Sequence, residues 1–230
     1  MTHEDAQKIL DDIIAQIFGY KNPWDLQAYM EKHAFDVRLP LRVNDFVTGN
    51  ETWVTSINPT RFRNFSDMIK EDKDLMQPKK DIKNIEDVLK AWEDTNWFAS
   101  ERQLKSLNIL ESDDIRGSEN IFRSQDIMNS KNVLFSDGAH NTNNSASVQR
   151  ANTVSYSARV EDSNNISNSF SVNWSTNVNN SLFIQDCADL YECMFCSHIN
   201  SKEYCIANMQ FEKEEYFKIK KMVLEWVLSN

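Results

Sequence analysis

A twelve-residue asparagine beat in the middle of the chain constrains the fold more than any other feature. Four segments align without gaps: Ser106-Leu107-Asn108-Ile109, Ser118-Glu119-Asn120-Ile121, Ser130-Lys131-Asn132-Val133 and Thr142-Asn143-Asn144-Ser145. A second set follows at Asn152-Thr153-Val154, Ser163-Asn164-Asn165-Ile166, Ser175-Thr176-Asn177-Val178 and Cys187-Ala188-Asp189-Leu190. The step from Asn144 to Thr153 is nine residues, which reads as the loss of one triplet between the two sets. A fixed period of this length is the mark of stacked structural repeats.

Inside the period runs a beat of three. Ile109, Ser112, Ile115, Ser118 and Ile121 alternate aliphatic and hydroxyl side chains, and the same beat resumes from Val154 through Ser157, Val160 and Ser163 to Leu190 and Cys193. One inward residue in three, four to a period, describes a flattened coil of a parallel β-solenoid whose turns stack about 4.7 Å apart. About eight such coils make a rod of roughly 35 to 40 Å. Its interior is too thin for a cofactor, and its buried serines must bond backbone carbonyls or one another. The asparagines at 108, 120, 132, 144, 165 and 177 fall where the chain bends, because Asn tolerates left-handed backbone angles and stacked amides can pair. The expected fold is mainly β: a right-handed parallel β-solenoid over 106–205, a mostly helical region over 1–105 that covers the first coil, and a C-terminal capping helix over 206–230.

The spacing resembles that of insect antifreeze solenoids, which also use twelve-residue coils with inward residues every three. Those proteins present regular threonine pairs on a flat face, whereas the outward positions here mix Arg116, Arg123, Asp126, Arg159, Glu161 and Trp174. Ice binding is therefore not expected. Hexapeptide acyltransferases space their inward residues differently and build a longer triangular coil. The stretch from Tyr204 to Phe211, followed by Lys213-Glu214-Glu215-Tyr216 and a helix, is similar to the ending of uncharacterised bacterial parallel β-solenoid proteins. That resemblance implies the solenoid with its C-terminal helix and brings no activity with it.

In the flanks, Thr2 caps an amphipathic helix over 3–18 with Ile9, Leu10, Ile13, Ile14, Ile17 and Phe18 on one stripe, and Gly19 ends it. Asn22-Pro23 opens a second helix through Leu26, Tyr29 and Met30, and Phe35, Val37 and Leu39 alternate like a short strand ending at Pro40. Asn84 with Asp87 caps a third helix bearing Ile85, Val88, Leu89 and Trp92. Residues 212–228 read as a helix with Tyr216, Ile219, Met222, Val223, Trp226 and Val227 on one stripe. Residues 56–80 carry no clear pattern.

Composition narrows the function classes. The chain has 40% hydrophobic and 26% charged residues, only four Gly and four Pro, and no apolar run near the roughly 20 residues of a membrane span. No basic cluster precedes an apolar stretch at the start, so the expected location is cytoplasmic. The net charge of −10 disfavours direct nucleic-acid binding. Residues 106–205 hold twelve acids against six bases, which leaves room for an acidic rod that imitates nucleic acid towards a basic partner.

No constellation specifies a reaction. P-loop, dinucleotide, HExxH and GxSxG patterns are absent. His3, His33 and His140 are isolated and read as surface residues, while Asp113-Asp114 and Glu161-Asp162 read as solvated corners. Arg61 and Arg63, between Phe62 and Phe65, read as salt-bridged surface. Cys187, Cys193, Cys196 and Cys205, near His198, admit three readings: small core fillers on the inward beat, a zinc site through Cys193-x-x-Cys196, or a disulfide. Leu182, Phe183, Met194 and Phe195 lie off the inward beat, twelve apart in pairs, and form an apolar patch. Either a terminal helical region buries it or a second subunit does. The expectation is a non-catalytic scaffolding or protein-binding rod without cofactor, with a protein partner or self-association. The alternatives are an enzyme with its site in a cleft between the N-terminal region and the solenoid, and the acidic nucleic-acid mimic.

Overall fold

The computed structural model describes residues 1–58, 61–71, 76–93 and 95–229. Parallel strands, most of them of four residues and two to a coil, wind from Gln103 to Glu203 into a solenoid of about nine turns, and a continuous strand of thirteen residues, Asn143–Ser155, runs through its middle. Every parallel pairing within the rod is offset by twelve, from Gln103 beside Ile115 at one end to Met194 beside Ile206 at the other. A two-residue antiparallel hairpin, Cys205–Ile206 with Met209–Gln210, finishes the rod.

The backbone obeys the beat of three more strictly than the side chains do. From Lys105 to Ala207 every third residue has a positive φ, with Gly117 and Gly138 included. Two extended residues and one left-handed one form each side of the coil, so each period turns four corners. The left-handed region costs most residues roughly 1–2 kcal/mol, and Asn pays least among those with a side chain because its amide bonds locally. Hence the asparagines: Asn108, Asn120, Asn132, Asn144, Asn165 and Asn177 all sit at positive φ. Their amides chain along the rod, Nδ2 of Asn108 donating to Asn120 at 3.0 Å, Asn120 to Asn132 and Asn132 to Asn144 at 2.7 Å each. Replacing Asn132 by valine is expected to lower the unfolding free energy by about 2 kcal/mol, from a β-branched residue at φ > 0 and two broken amide bonds. Urea titration checks this, with Asn132→Gly as the milder control.

Buried serines are satisfied in one repeated way. Ser112 Oγ donates to Leu110 O at 2.7 Å and accepts the Ser124 backbone N–H at 3.0 Å. The motif recurs coil after coil, as at Ser124 with Ser136 and Ser169 with Ser181. Each hydroxyl thus stitches one turn to the next, and burial costs it nothing unpaired.

The nine-residue step after Asn144 removes no triplet. Val133 pairs with Ser145 and Ala146 with Ala158, so the coil keeps its twelve residues throughout. What changes is the identity of the columns. The aliphatic column of Ile109, Ile121 and Val133 continues as Ser145 and Ser157, while the serine column of Ser112, Ser124 and Ser136 continues as Val148 and Val160. After one mixed coil of Ser145, Val148, Ala151 and Val154, two aliphatic and two hydroxyl columns resume from Ser157 to Val178, and the asparagine marker moves to another corner.

Among the described residues five helices accompany the rod: α1 (His3–Phe18), α2 (Leu26–His33), α3 (Phe65–Glu71), α4 (Ile85–Glu93) and α5 (Lys213–Ser229). Thr2 and Asp5 form a capping box on α1, and Gly19 at φ 73° ends it. The second helix starts at Leu26 under the Asp25 side chain, three residues beyond the Asn22-Pro23 opening expected. Asn84 caps α4 by accepting Asp87 N–H at 2.9 Å. No strand forms over Phe35 to Leu39: the segment is a turn whose Phe35 ring lies under the Arg159 guanidinium, and strand β1 (Leu41–Asn44) starts after Pro40. It pairs antiparallel with β2 (Glu51–Val54), while β3 (Phe62–Asn64) pairs parallel with β4 (Phe98–Ser100).

Neither terminal helix lies across an end of the rod. Outward residues Leu110, Phe122, Leu134, Ala146, Ala158, Phe170, Leu182, Met194 and Ile206 recur every twelve and form one apolar column along its side. The α1 helix lies lengthwise on that column, from His3 against Glu111 to Gln16 against Asn168. About 20 Å of helix matches roughly five coils of 4.7 Å. The α5 helix starts at Tyr204 with Tyr216 and returns along the remaining column to Phe183 with Trp226, meeting α1 where Tyr20 reaches Glu225. Met222 and Trp226, expected on its apolar stripe, are exposed. The first coil is held from the side instead: Asp113 accepts from Thr55 N–H and from Arg102, and Glu101 N–H donates to Trp53.

Candidate functional site

The outward residues fall into four long faces, each a pair of columns between successive inward columns. One face is covered by α1, α2 and α5. The next carries Asp113, Asp114, Asp126, Asp137, Glu161, Asp162 and Asp186, seven of the twelve acids between 106 and 205, with Arg150 as its single base. Within 106–205 that face therefore bears −6, and the five remaining acids are balanced by five bases, Lys202 among them at an inward position. Folding has gathered a mild compositional excess onto one side of a stiff rod.

The geometry of this acidic face is regular. Arg150 bridges Asp162 at 2.8 Å and also Glu161, which holds the Asp162 carboxyl below its ordinary pKa and raises the guanidinium's. Trp174 stands out 61% exposed one coil further on, its indole N–H donating to Asp162 at 3.1 Å. His198 caps the far end through Asp186 at 2.8 Å. Asp137 is half-buried, and that burial raises its pKa. At the near end Asp113 is fully buried and paired with Arg102 at 2.9 Å, and Asp114 pairs with Arg116 at the same distance.

The next two faces bear asparagine, serine and threonine from Asn141 to Asn180, with Asn152, Asn164 and Thr176 exposed in successive coils. Of the mixed outward residues noted above, Asp126, Glu161 and Trp174 belong to the acidic face, and Arg123 and Arg159 to the helix-covered one.

The apolar patch divides. Leu182 and Met194 are buried with Tyr216 and Val227 in the core shared with the helices. Phe183 is half-buried and stacks on Phe195 at 4.6 Å, and Phe195 stays 41% exposed. Most of the patch is thus consumed within the chain.

All four cysteines are free and buried inside the last coils. Among the described residues no group of three or more His, Cys, Asp or Glu side chains could hold a metal ion. The neighbouring thiols of Cys193 and Cys196 act on each other, which raises the pKa of the first and lowers that of the second.

The histidines part company. His3 pairs with Glu111 at 3.0 Å and His140 lies 3.6 Å from Asp126, both near the surface. His33 is not a surface residue: it is 6% exposed, its ring edge-on to Trp24 and Phe170, because α2 presses it onto the rod. Arg63 pairs with Glu71, and Arg61 lies over the Phe46 ring. Between α3 and the first coil a cavity of about 310 Å³ is lined by Phe65, Arg102, Leu104, Asp114 and Arg116. Its charged groups are spent on the ion pairs named above.

No family model, curated protein or solved structure matches the chain. Among the described residues no helix is long and apolar enough to cross a membrane.

Proposed function

We propose that the chain is a non-catalytic, rigid binding module whose recognising surface is the acidic face, and whose partner is a basic protein surface. One observation carries the reading: the whole net charge of the repeat region stands on one side of a rod stiffened by its stitched hydroxyl columns. Trp174 gives that face an aromatic anchor of the type that dominates binding energy, ringed by carboxylates that speed encounter with a basic patch. The interior is filled by its own side chains, which leaves recognition to the outside. The resemblance of the Tyr204–Phe211 ending to bacterial β-solenoid proteins is part of the same reading and adds no activity to it.

The test is affinity capture from native lysate with the full chain, side by side with Trp174→Ala and with Asp126→Asn, Asp162→Asn and Asp186→Asn combined. Asparagine suits the left-handed φ of all three aspartates, so thermal unfolding should shift little. The expected result is a stoichiometric basic protein, retained less than a tenth as well by either variant and released by about 0.3 M salt. Equal retention by both variants sinks the proposal. Release of that partner by duplex DNA supports the nucleic-acid-mimicking version, since rod and DNA then share one site. A small molecule retained in the 310 Å³ cavity speaks for an enzyme instead.

A further inference from the structure

One inward column runs Ser145, Ser157, Ser169, Ser181, Cys193, Cys205. Packing alone gives no reason for the change of residue. The serine hydroxyls donate to the carbonyl two residues back at 2.7 to 2.9 Å, whereas Cys193 Sγ reaches Tyr191 O at 3.5 Å. The stitching of backbone N–H to serine Oγ reaches Cys193, whose N–H donates to Ser181 at 3.0 Å. A thiol is the weaker donor, so serine would hold this column better. Yet cysteine replaces it in two successive coils, which stacks the pair.

The stacking has a chemical consequence. Met194 pairs in register with Ile206, so Cys193 and Cys205 are neighbours across the same parallel ladder, and Cys193 Sγ reaches across it to Lys202 O at 3.5 Å. Adjacent parallel strands lie about 4.8 Å apart, inside the roughly 4.4 to 6.8 Å that a disulfide needs between Cα atoms. Cys196, the other thiol beside Cys193, points inward from the next side of the coil, beyond the left-handed corner at Phe195. Access comes from the end of the rod: the strand Asn200–Glu203 is exposed throughout and puts Lys202 at an inward position, so the last coil is the one that opens most readily.

We propose that Cys193 and Cys205 form a latent disulfide site, oxidised by peroxide, that closes the last coil of the solenoid. One thiolate attacks the peroxide, its sulfur gains oxygen as a sulfenic acid, and hydroxide leaves to become water. The second thiol then attacks that sulfur, the S–S bond forms, and the sulfenic hydroxyl departs with the thiol proton as a second water. Two electrons pass from two thiols to one hydrogen peroxide. The bond ties the turn next to the exposed strand and shifts the open-to-closed equilibrium of that coil by roughly a hundredfold, as expected for a twelve-residue loop.

The experiment exposes the native full-length chain to hydrogen peroxide, then blocks the remaining thiols with N-ethylmaleimide in denaturant and maps tryptic peptides by mass. Cleavage at Lys202 separates the two cysteines. The expected product has lost two hydrogens, carries two blocked thiols, links the peptides on either side of Lys202, reverts with dithiothreitol, and protects the amides of 194–206 from hydrogen exchange. Cys193→Ser, a residue native to this column, should fold and abolish the link, whereas Cys196→Val, matching Val160 and Val172, should leave it. Four blocked thiols after native oxidation, a link that survives Cys193→Ser, or one that is lost in Cys196→Val overturns the proposal.

Discussion

Phe170→Ala is expected to lower the unfolding free energy by about 3 to 5 kcal/mol, the range for removing a buried aromatic ring. Phe170 is 3% exposed although it points out of the solenoid, because its ring sits edge-on to Phe18 of α1 at 5.2 Å and to His33 of α2 at 5.5 Å. The loss should therefore appear first in the helices. Hydrogen exchange should speed up across residues 3–33 while the amides of the neighbouring coils stay protected. Val172→Ala, two residues on and inward, is the control: it should cost less and should loosen the rod instead. Urea titration and exchange together decide the matter. A cost below about 1 kcal/mol, or equal loosening of helix and rod, would show that α1 and α2 are not seated by this column.

How much of this was legible in the sequence depends on which periodicity was read. The inward beat was plain because Ile, Val and Ser alternate at fixed spacing, and it placed Ile115, Ile121, Val133 and Val178 in the core, where they are fully buried. The asparagine corners were readable for the same reason. The change of columns at Asn144 reads as a deleted triplet because a corner marker moving by nine looks the same in one dimension. The pairings of Val133 with Ser145 and of Ala146 with Ala158 separate the two. The side column from Leu110 to Ile206 has the same period of twelve, but Ala146 and Ala158 interrupt its apolar character just where α1 approaches most closely. Leu182 and Met194 therefore read as a local patch and not as part of a stripe nine coils long.

The acidic face was hidden by arithmetic of another kind. Counted along the chain, twelve acids against six bases is a mild excess. Counted by position within the coil, seven of those acids fall on one side. The fold multiplies a weak compositional bias because a solenoid maps sequence position, modulo twelve, onto direction in space. The cavity beside Phe65 and the seating of His33 were not readable at all, since both depend on how the N-terminal segments meet the rod.

His33 makes the chain acid-sensitive in a way that can be isolated. Its imidazole is held neutral down to a pKa of about 3 by burial, with the charges of Lys32 and Arg159 acting in the same direction. The ring touches Trp24, Tyr29 and Phe170, its Nε2 meets no hydrogen-bond partner, and Asp36 nearby is taken up by Arg159 at 3.1 Å. In the unfolded chain the ordinary value is 6.5. Between those two values the unfolded state binds one more proton than the folded state. The stability contribution is thus complete above pH 6.5 and falls by up to about 1.4 kcal/mol per unit as the pH drops towards 3. From pH 7 to 4.5 the loss from this residue should reach about 2 to 3 kcal/mol. Because α2 can lift from the rod without unwinding it, the exchange of amides 26–33 should accelerate over that range before the solenoid's own amides respond. His33→Phe keeps an aromatic ring among Trp24, Tyr29 and Phe170 and removes the titration, so its stability should be nearly flat from pH 7 to 4.5. A wild-type and His33→Phe pair with parallel pH profiles would place the proton elsewhere, and the seating of α2 would then owe nothing to a neutral imidazole.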